Sequence, residues 1–450
     1  MSNLKSKFKL KTIVSTCLLL LLTSFSAPAA EAQTRLIVRD ALGLPGLNLT
    51  CLLTGCKVVS GLGDPSHQLF VVTFPKILNP VTSLLRLSLQ TGILSVEIDQ
   101  LAKTQEPYAN GTPYYLTDEA PVSYYGSTAW HGYVSQPATN LIRSNQTHSA
   151  FNAAGSGIIV AVIDTGVDPN HPVLKSVLVK GYDFTRNVAG GSEDADVPIN
   201  GDVDQRSVAV LDQRSVAVLD QRTVAVLDQR SVAVLDGNSQ YSDFGHGTMT
   251  AGLVHLVAPQ AKIMPLKAFH ADGTGYDSDV IRAIYYAVAN GAKVMNMSFD
   301  FPSYSGELAS AIKYANGKGV ISVASAGNDG RRAIVYPAAL PGVIDVASTS
   351  NDDIQSTFTN YGAPPVWLAA PGEGVVTTYP WGTYAAVWGT SFSTPLAAGS
   401  AAVMLGTNGG CSKSSSIPTG LAAADYIGDF DMGFGRLDTY RAVQACRILP

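Results

Sequence analysis

An α/β fold is predicted, built on a parallel sheet with helices on both faces and preceded by a small α+β unit. Three observations predict it. From Gly157 onward short apolar runs alternate with helix-length segments, the pattern of a parallel sheet covered on both sides. Residues 35–99 read strand, helix, strand, strand, helix, strand, a βαββαβ unit. The chain is 46% hydrophobic and only 14% charged, which calls for a large buried core and excludes a disordered or coiled-coil protein.

The first segment, residues 1–32, carries Lys5, Lys7, Lys9 and Lys11, an apolar run at 13–22, and then small residues from Ser26 to Ala32. That is the layout of a signal peptide, so the predicted localisation is secreted, extracellular or periplasmic. A membrane anchor is not expected, because about ten apolar residues cannot cross roughly 30 Å of hydrocarbon. Losing this leader takes the formal charge from −5 to about −8. An acidic body gives no reason to expect nucleic acid as a partner.

Cys17 leaves with the leader, and Cys51, Cys56, Cys411 and Cys446 remain. Export permits disulfides, and neither pair has metal-ligand spacing. A Cys411–Cys446 bridge is expected. Cys51 and Cys56 stay open between a bridge and two thiols, since a five-residue offset on a helix is not ideal.

In the small unit, strands are expected at 35–39, 57–62, 68–74 and 93–98 and helices at 44–53 and 81–89. Residues 103–130, rich in Pro, Gly, Tyr and Thr, read as a linker where a maturation cut would fall. The large unit, residues 131–450, has expected strands at 158–163, 262–267, 293–297, 320–324 and 343–347. Its expected helices lie at 246–255, 278–290 and 307–316, with another opening near Ser391. Gly291 stops the second of these. In such sheets ligands bind beyond the carboxyl ends of the strands, where Asp164 sits.

An octapeptide is read four times between these elements, at 204–211, 212–219, 220–227 with Thr223 for Ser, and 228–235. Eight residues drift by about 80° on a helix but keep constant faces on a strand. Ser-Val-Ala-Val-Leu therefore reads as a strand and Asp-Gln-Arg as a turn. The array is read as a tandem duplication tolerated in a surface loop, with a meander or small solenoid as the alternative.

Three islands carry the chemistry: Val162-Ile163-Asp164-Thr165-Gly166, Gly245-His246-Gly247-Thr248 and Gly389-Thr390-Ser391-Phe392-Ser393-Thr394-Pro395. A Ser hydroxyl is a weak nucleophile at neutral pH, so it needs an imidazole to take its proton and a carboxylate to orient that imidazole. The islands supply all three in the order Asp, His, Ser, which is that of subtilisin. Around Ser391 the text is Gly-x-Ser-x-Ser, not the Gly-x-Ser-x-Gly elbow of lipases and esterases.

On these motifs the chain resembles the subtilisin-like, or subtilase, family across 157–443, and its 35–99 unit is similar to the family's ferredoxin-like propeptide, with Val96-Glu97-Ile98-Asp99 as the closing strand. The resemblance implies a serine endopeptidase made as a zymogen, with catalytic residues Asp164, His246 and Ser391. It implies protein or peptide substrates, and the propeptide at 33–102 as an inhibitor. It also points to Asn328, in Ser325-Ala326-Gly327-Asn328, as an oxyanion donor together with the backbone N–H of Ser391. Val294-Met295-Asn296-Met297-Ser298 looks like the strand leading to a substrate-pairing edge. There the chain departs from the family, reading Phe299, Asp300 and Phe301 where an apolar residue and glycines are usual. Val335, before Tyr336-Pro337, matches the floor of the S1 pocket.

No cofactor is expected. Calcium is possible in the family, but the residues around Asp168 and inside the His246 helix lack its usual loop. Glu193, Asp194, Asp196, Asp202 and Asp204 miss the EF-hand spacing and are read as a solvated loop. His171 and His255 have packing explanations. The competing function is a catalytically silent scaffold of the same fold that binds peptides or a partner. The intact Asp164, His246, Asn328 and Ser391 favour the enzyme, and the His246 island speaks against a sedolisin-like peptidase.

Overall fold

The computed structural model describes residues 34–75, 77–103, 113–196, 216–219, 223–226, 243–362 and 365–448. The leader and most of the octapeptide array fall outside them. The body is an eight-stranded sheet in the order Val188–Ala189, Tyr182–Asp183, Lys262–Lys267, Ile159–Asp164, Val294–Met297, Ile321–Ser325, Val343–Thr349, Leu368–Pro371. Only the first pairing is antiparallel.

Strand alternation decides which helices cover which face. Val160, Val162, Val294, Val323 and Val346 point to the side of the helices His246–Val257 and Thr390–Leu405. Ala161, Ile163, Met295, Met297 and Ala324 point to the side of Asp277–Ala289 and Gly306–Gly317. The helix Thr390–Leu405 is buried from Thr390 to Met404, as an apolar circumference demands. The two strands beside Ile159–Asp164 are Lys262–Lys267 on one edge and Val294–Met297 on the other, so the strand order reverses at its carboxyl end, the place where such sheets form their ligand crevice.

The amino-terminal unit is an antiparallel sheet ordered Lys57–Gly61, Leu69–Phe74, Thr34–Asp40, Ile93–Ile98, with the helices Gly43–Thr54 and Pro80–Ser88. This is the expected βαββαβ unit. Leu36, Val38, Phe70 and Val72 meet Leu47 and Leu87 of its own helices, whereas Ile37, Leu62, Leu69 and Val71 join a cluster containing Phe184 and Tyr285 of the large unit. One sheet thus serves two cores.

Cys51 and Cys56 are bridged, which closes the alternative left open by their spacing, and Cys411 and Cys446 are bridged as expected. Residues 113–130, expected within a linker, instead fold into the large unit. The Tyr115 hydroxyl donates to Gly374 O at 2.6 Å and the Tyr124 hydroxyl to Leu256 O at 2.6 Å, both buried. Aromatic side chains with a polar tip reached partners that composition alone did not suggest.

Within the array, Val216–Leu219 pairs antiparallel with Thr223–Val226, Ala217 opposite Ala225, as the strand reading requires, and the second strand runs beside Thr383–Val387. The other repeats lie outside the described residues. The flanks of the array meet at one residue: Ala271 N donates to Asp196 Oδ2 at 2.7 Å, and Asp243 N donates to Ala271 O at 2.8 Å.

Candidate active site

Asp164 is the last residue of its strand and His246 the first of its helix. His246 Nδ1 lies 2.7 Å from Asp164 Oδ1, and both side chains are almost wholly buried. The same carboxylate accepts Thr165 N at 2.7 Å and the Thr250 hydroxyl at 3.0 Å, so its orientation is fixed from three sides. Glycine makes the approach possible: a Cβ on Gly247 would stand 1.9 Å from Gly166 O. Any side chain there would drive the His246 helix away from Asp164.

Ser391 lies in the first turn of Thr390–Leu405, where backbone N–H groups have no partner inside the helix. Its hydroxyl donates to Ser298 O over a long 3.4 Å. The helix starts at Thr390, which puts Pro395 in its second turn, where its missing N–H deprives the carbonyl four residues back, Ser391 O. The Ser298 hydroxyl takes that place at 2.8 Å, itself oriented by Asn296 Nδ2 at 3.0 Å.

Asn328 Oδ1 accepts from Thr390 N and the Thr390 hydroxyl, both at 2.9 Å, which turns the donor end of the amide away from Thr390. Its loop is braced by Asn360. The Asn360 amide donates to Ala326 O at 3.0 Å and accepts Asp329 N at 3.1 Å, and Asn360 N donates to Gly327 O at 2.8 Å. An isolated Asn before Tyr-Gly carries no sequence signal beyond a turn, so this residue was missed.

The structure brings the expected wall residues together. Phe301 N donates to Tyr336 O at 2.7 Å and Tyr336 N to Phe301 O at 2.9 Å, joining the Ser298–Phe301 segment to Val335. The Ser325 hydroxyl donates to Phe299 O at 3.4 Å, linking the third segment, which holds Ala326 and Gly327. Phe299 and Val335 are buried with Phe269 and Phe301. Asp300 Oδ2 sits 3.2 Å from where a Cβ on Gly327 would be, so its carboxylate leans across that glycine.

A further edge was not foreseen. Leu101–Lys103 pairs antiparallel with Thr274–Tyr276, Ala102 opposite Gly275. Beside it, Glu97 accepts the Ser305 hydroxyl at 2.6 Å and Gly306 N at 3.0 Å, and Asp99 accepts Ser278 N at 3.0 Å and the Ser278 hydroxyl at 2.9 Å. Two acids of one small unit thereby cap two helices of the large one.

The acidic segment is not a solvated loop. Glu193 is buried against Thr165 and Thr248, and Asp196 accepts Lys267 Nζ at 2.6 Å and also pairs with Arg186. Charge runs look alike in sequence whether water or internal donors surround them. Asp202 and Asp204 lie outside the described residues. Asp168 accepts Asn170 N and Trp381 N, both at 2.8 Å. Among the described residues no three His, Cys, Asp or Glu side chains come together to hold a metal ion, and no helix is long and apolar enough to cross a membrane.

A sequence profile of the subtilase family matches residues 155–420. Thermitase of Thermoactinomyces vulgaris is 32% identical over 308 residues, covering 65% of this chain and 90% of the relative. Subtilisin BL of Lederbergia lenta is 38% identical over 169 residues, 36% of this chain and 62% of its own. Among solved structures, fervidolysin from Fervidobacterium pennivorans, described as a keratinolytic enzyme related to subtilisin, superposes with a TM-score of 0.68 at 22% identity, covering 93% of this chain and 62% of that one; at that identity the likeness speaks for the fold. The crevice at Asp164, the helix that begins with His246 and the profile spanning both lead to one assignment: the chain belongs to the subtilase family, whose members are subtilisin-like serine endopeptidases.

Proposed function

We propose that the chain is a secreted endopeptidase, made as a zymogen, that cuts protein or peptide substrates with Asp164, His246 and Ser391. The observation that carries this reading is the buried 2.7 Å contact between His246 Nδ1 and Asp164. It commits Nδ1 to the carboxylate, and leaves Nε2 as the nitrogen that takes a proton.

The Ser391 oxygen attacks the scissile carbonyl carbon as its proton passes to His246 Nε2, and Asp164 stabilises the imidazolium. Negative charge forming on the carbonyl oxygen is met by the Asn328 amide and the Ser391 N–H. The imidazolium then gives its proton to the leaving amine, and a water repeats the sequence to release the acid. The long bond to Ser298 O yields readily when a substrate arrives.

Ser298, Phe299, Asp300, Ser325, Ala326, Gly327 and Val335 form the substrate channel, mostly through backbone and buried side chains. Residues 33–102 are the propeptide. Leu101–Lys103 runs along Thr274–Tyr276 as a substrate strand would, and Tyr115 is already tied to Gly374 of the large unit. The maturation cut is therefore placed after Lys103 and before Tyr115.

The rival reading, a silent scaffold, makes the opposite prediction for a fluorophosphonate probe. The enzyme should be labelled at Ser391, and Ser391→Ala should be secreted unlabelled and uncut. No labelling of the wild-type chain would leave the scaffold. Normal maturation of Ser391→Ala would assign the cut to another protease.

A further inference from the structure

We infer that Glu193 is a positioning residue for the reaction, one buried carboxylate that ties the segment after Asp164 to the first turn of the His246 helix. The inference rests on the triad reading above. Glu193 Oε1 accepts the Thr165 hydroxyl at 2.9 Å and Thr248 N at 3.0 Å, and Oε2 accepts the Thr248 hydroxyl at 2.7 Å. Thr165 follows the acid, and its N–H is one of the three donors on Asp164. Thr248 lies two residues beyond the base.

The two threonines are themselves spoken for. The Thr165 oxygen accepts Gly247 N at 2.9 Å while giving its proton to Glu193, and the Thr248 oxygen accepts Asp168 N at 2.7 Å while giving its proton to the other Glu193 oxygen. Three donors converge on an acceptor that has room for four. Their directions are set, so the acid and the base cannot slide past each other without breaking bonds to one buried group. Strand and helix meet here with only glycine between them. Contact alone would fix their separation but not their rotation.

The charge of Glu193 bears on the same geometry. Burial pushes its carboxyl up to about 8, against the pull of its bonds from Thr248 and Thr165, and Asp164 raises it further. The groups around it are Asp164 and His246 on the two triad elements, Asp168, Asp194, Tyr379, and Lys267, whose Nζ donates to Thr165 O at 2.7 Å. Below that pH the carboxyl carries a proton and one of the three converging donors loses its acceptor. Above it the cradle is complete, and the added negative charge favours the imidazolium formed in the transition state.

The test is the pH profile of the mature enzyme and of Glu193→Gln, which keeps volume and removes the charge. The wild type should show a rise in kcat through an inflection near pH 8 that the variant lacks. At pH 9 the variant should be about tenfold lower in kcat, with KM within about twofold. Thr248→Ser, which keeps the hydroxyl bonds to Glu193 and Asp168 N, should behave as wild type, and Thr248→Val, which removes one donor to Glu193 together with the acceptor of Asp168 N, should reproduce part of the loss. Should Glu193→Gln fail to fold, the two Thr248 variants decide. Equal profiles for wild type and Glu193→Gln, or for Thr248→Val and Thr248→Ser, overturn the inference. A wild-type chain that no fluorophosphonate labels overturns the triad reading instead, so the two failures are distinguishable.

Discussion

Ser391 depends on Ser298 because Pro395 has no N–H to offer the Ser391 carbonyl. Ser298→Ala should leave that buried oxygen unsatisfied and cost about 1–3 kcal/mol, read as a lower melting temperature. Adding Pro395→Ala returns a backbone donor and should recover most of the loss, whereas no recovery would mean that Ser298 acts elsewhere. Specificity is also a residue-scale matter. Val335 is buried in the wall beneath the Ser298–Phe301 segment, and its β-branched side chain should keep the pocket shallow, favouring small or medium P1 residues. Asp300, leaning across Gly327, should favour basic ones. A peptide library is expected to show Val335→Gly gaining aromatic P1 cleavage. Asp300→Asn should lose about fivefold in kcat/KM for Arg or Lys, about 1 kcal/mol for a partly solvated pair. Unchanged profiles would remove either residue from the account.

At the scale of elements, the nucleophile's helix is held from behind. The helix Thr439–Ile448 packs on it, Ser400 and Thr439 share a hydrogen bond at 2.7 Å, and the Cys411–Cys446 bridge closes the intervening chain. With a sequence separation of 35, chain entropy gives the bridge about 3–4 kcal/mol. Replacing both cysteines by Ser should lower the melting temperature and leave cleavage specificity unaltered; equal melting curves would show that the bridge adds nothing. The segment carrying the octapeptide array, in contrast, is flanked by Asp196 and Asp243, which both meet Ala271. Deleting residues 204–235 as four whole units should therefore preserve probe labelling and kcat, because the join at Asp196 and Asp243 survives. Lost labelling would mean that the strand beside Thr383–Val387 supports the site.

Over the whole molecule, the two units meet across an acidic seam. Glu97 and Asp99 come from the small unit, Asp277, Asp279 and Glu307 from the large one, with Arg35, Arg39, Asp64 and Tyr285 around them. Among the described residues no close hydrogen bond reaches either Asp277 oxygen, and the Ser305 hydroxyl beside it donates to Glu97 at 2.6 Å. Burial raises Asp277 to about 8 and Asp279 to about 6, and raises Glu97 and Asp99 as well. Once the units separate, water returns and these acids revert toward ordinary values near 4. The joined state then holds more protons, so its stability is greatest below pH 4 and falls as pH rises towards 8. Inhibition by a separately added propeptide should accordingly weaken from pH 5 to pH 8, and Asp277→Asn should flatten that dependence. An inhibition constant that does not move with pH would contradict this reading of the seam.

The sequence by itself determined the alternation that builds the parallel sheet, the βαββαβ unit and the three islands of the triad. Each is a local signal: a period of two or 3.6, a stop at Gly291, or a short motif whose glycines permit one close approach. Tertiary structure decided what depends on contacts between distant segments. Leu368–Pro371 and the hairpin of Val375–Tyr379 with Thr383–Val387 are short, and rich in Ala and Thr, so no period marks them. Asn360 and Glu193 are polar residues whose neighbours in the chain resemble those of any loop. Whether such a group meets water or a set of converging N–H and O–H donors is settled only when the fold closes around it. That difference, between a solvated carboxylate and one caught between Thr165 and Thr248, is invisible in the order of residues because its cause lies 28 positions away from Glu193 on one side and 55 on the other.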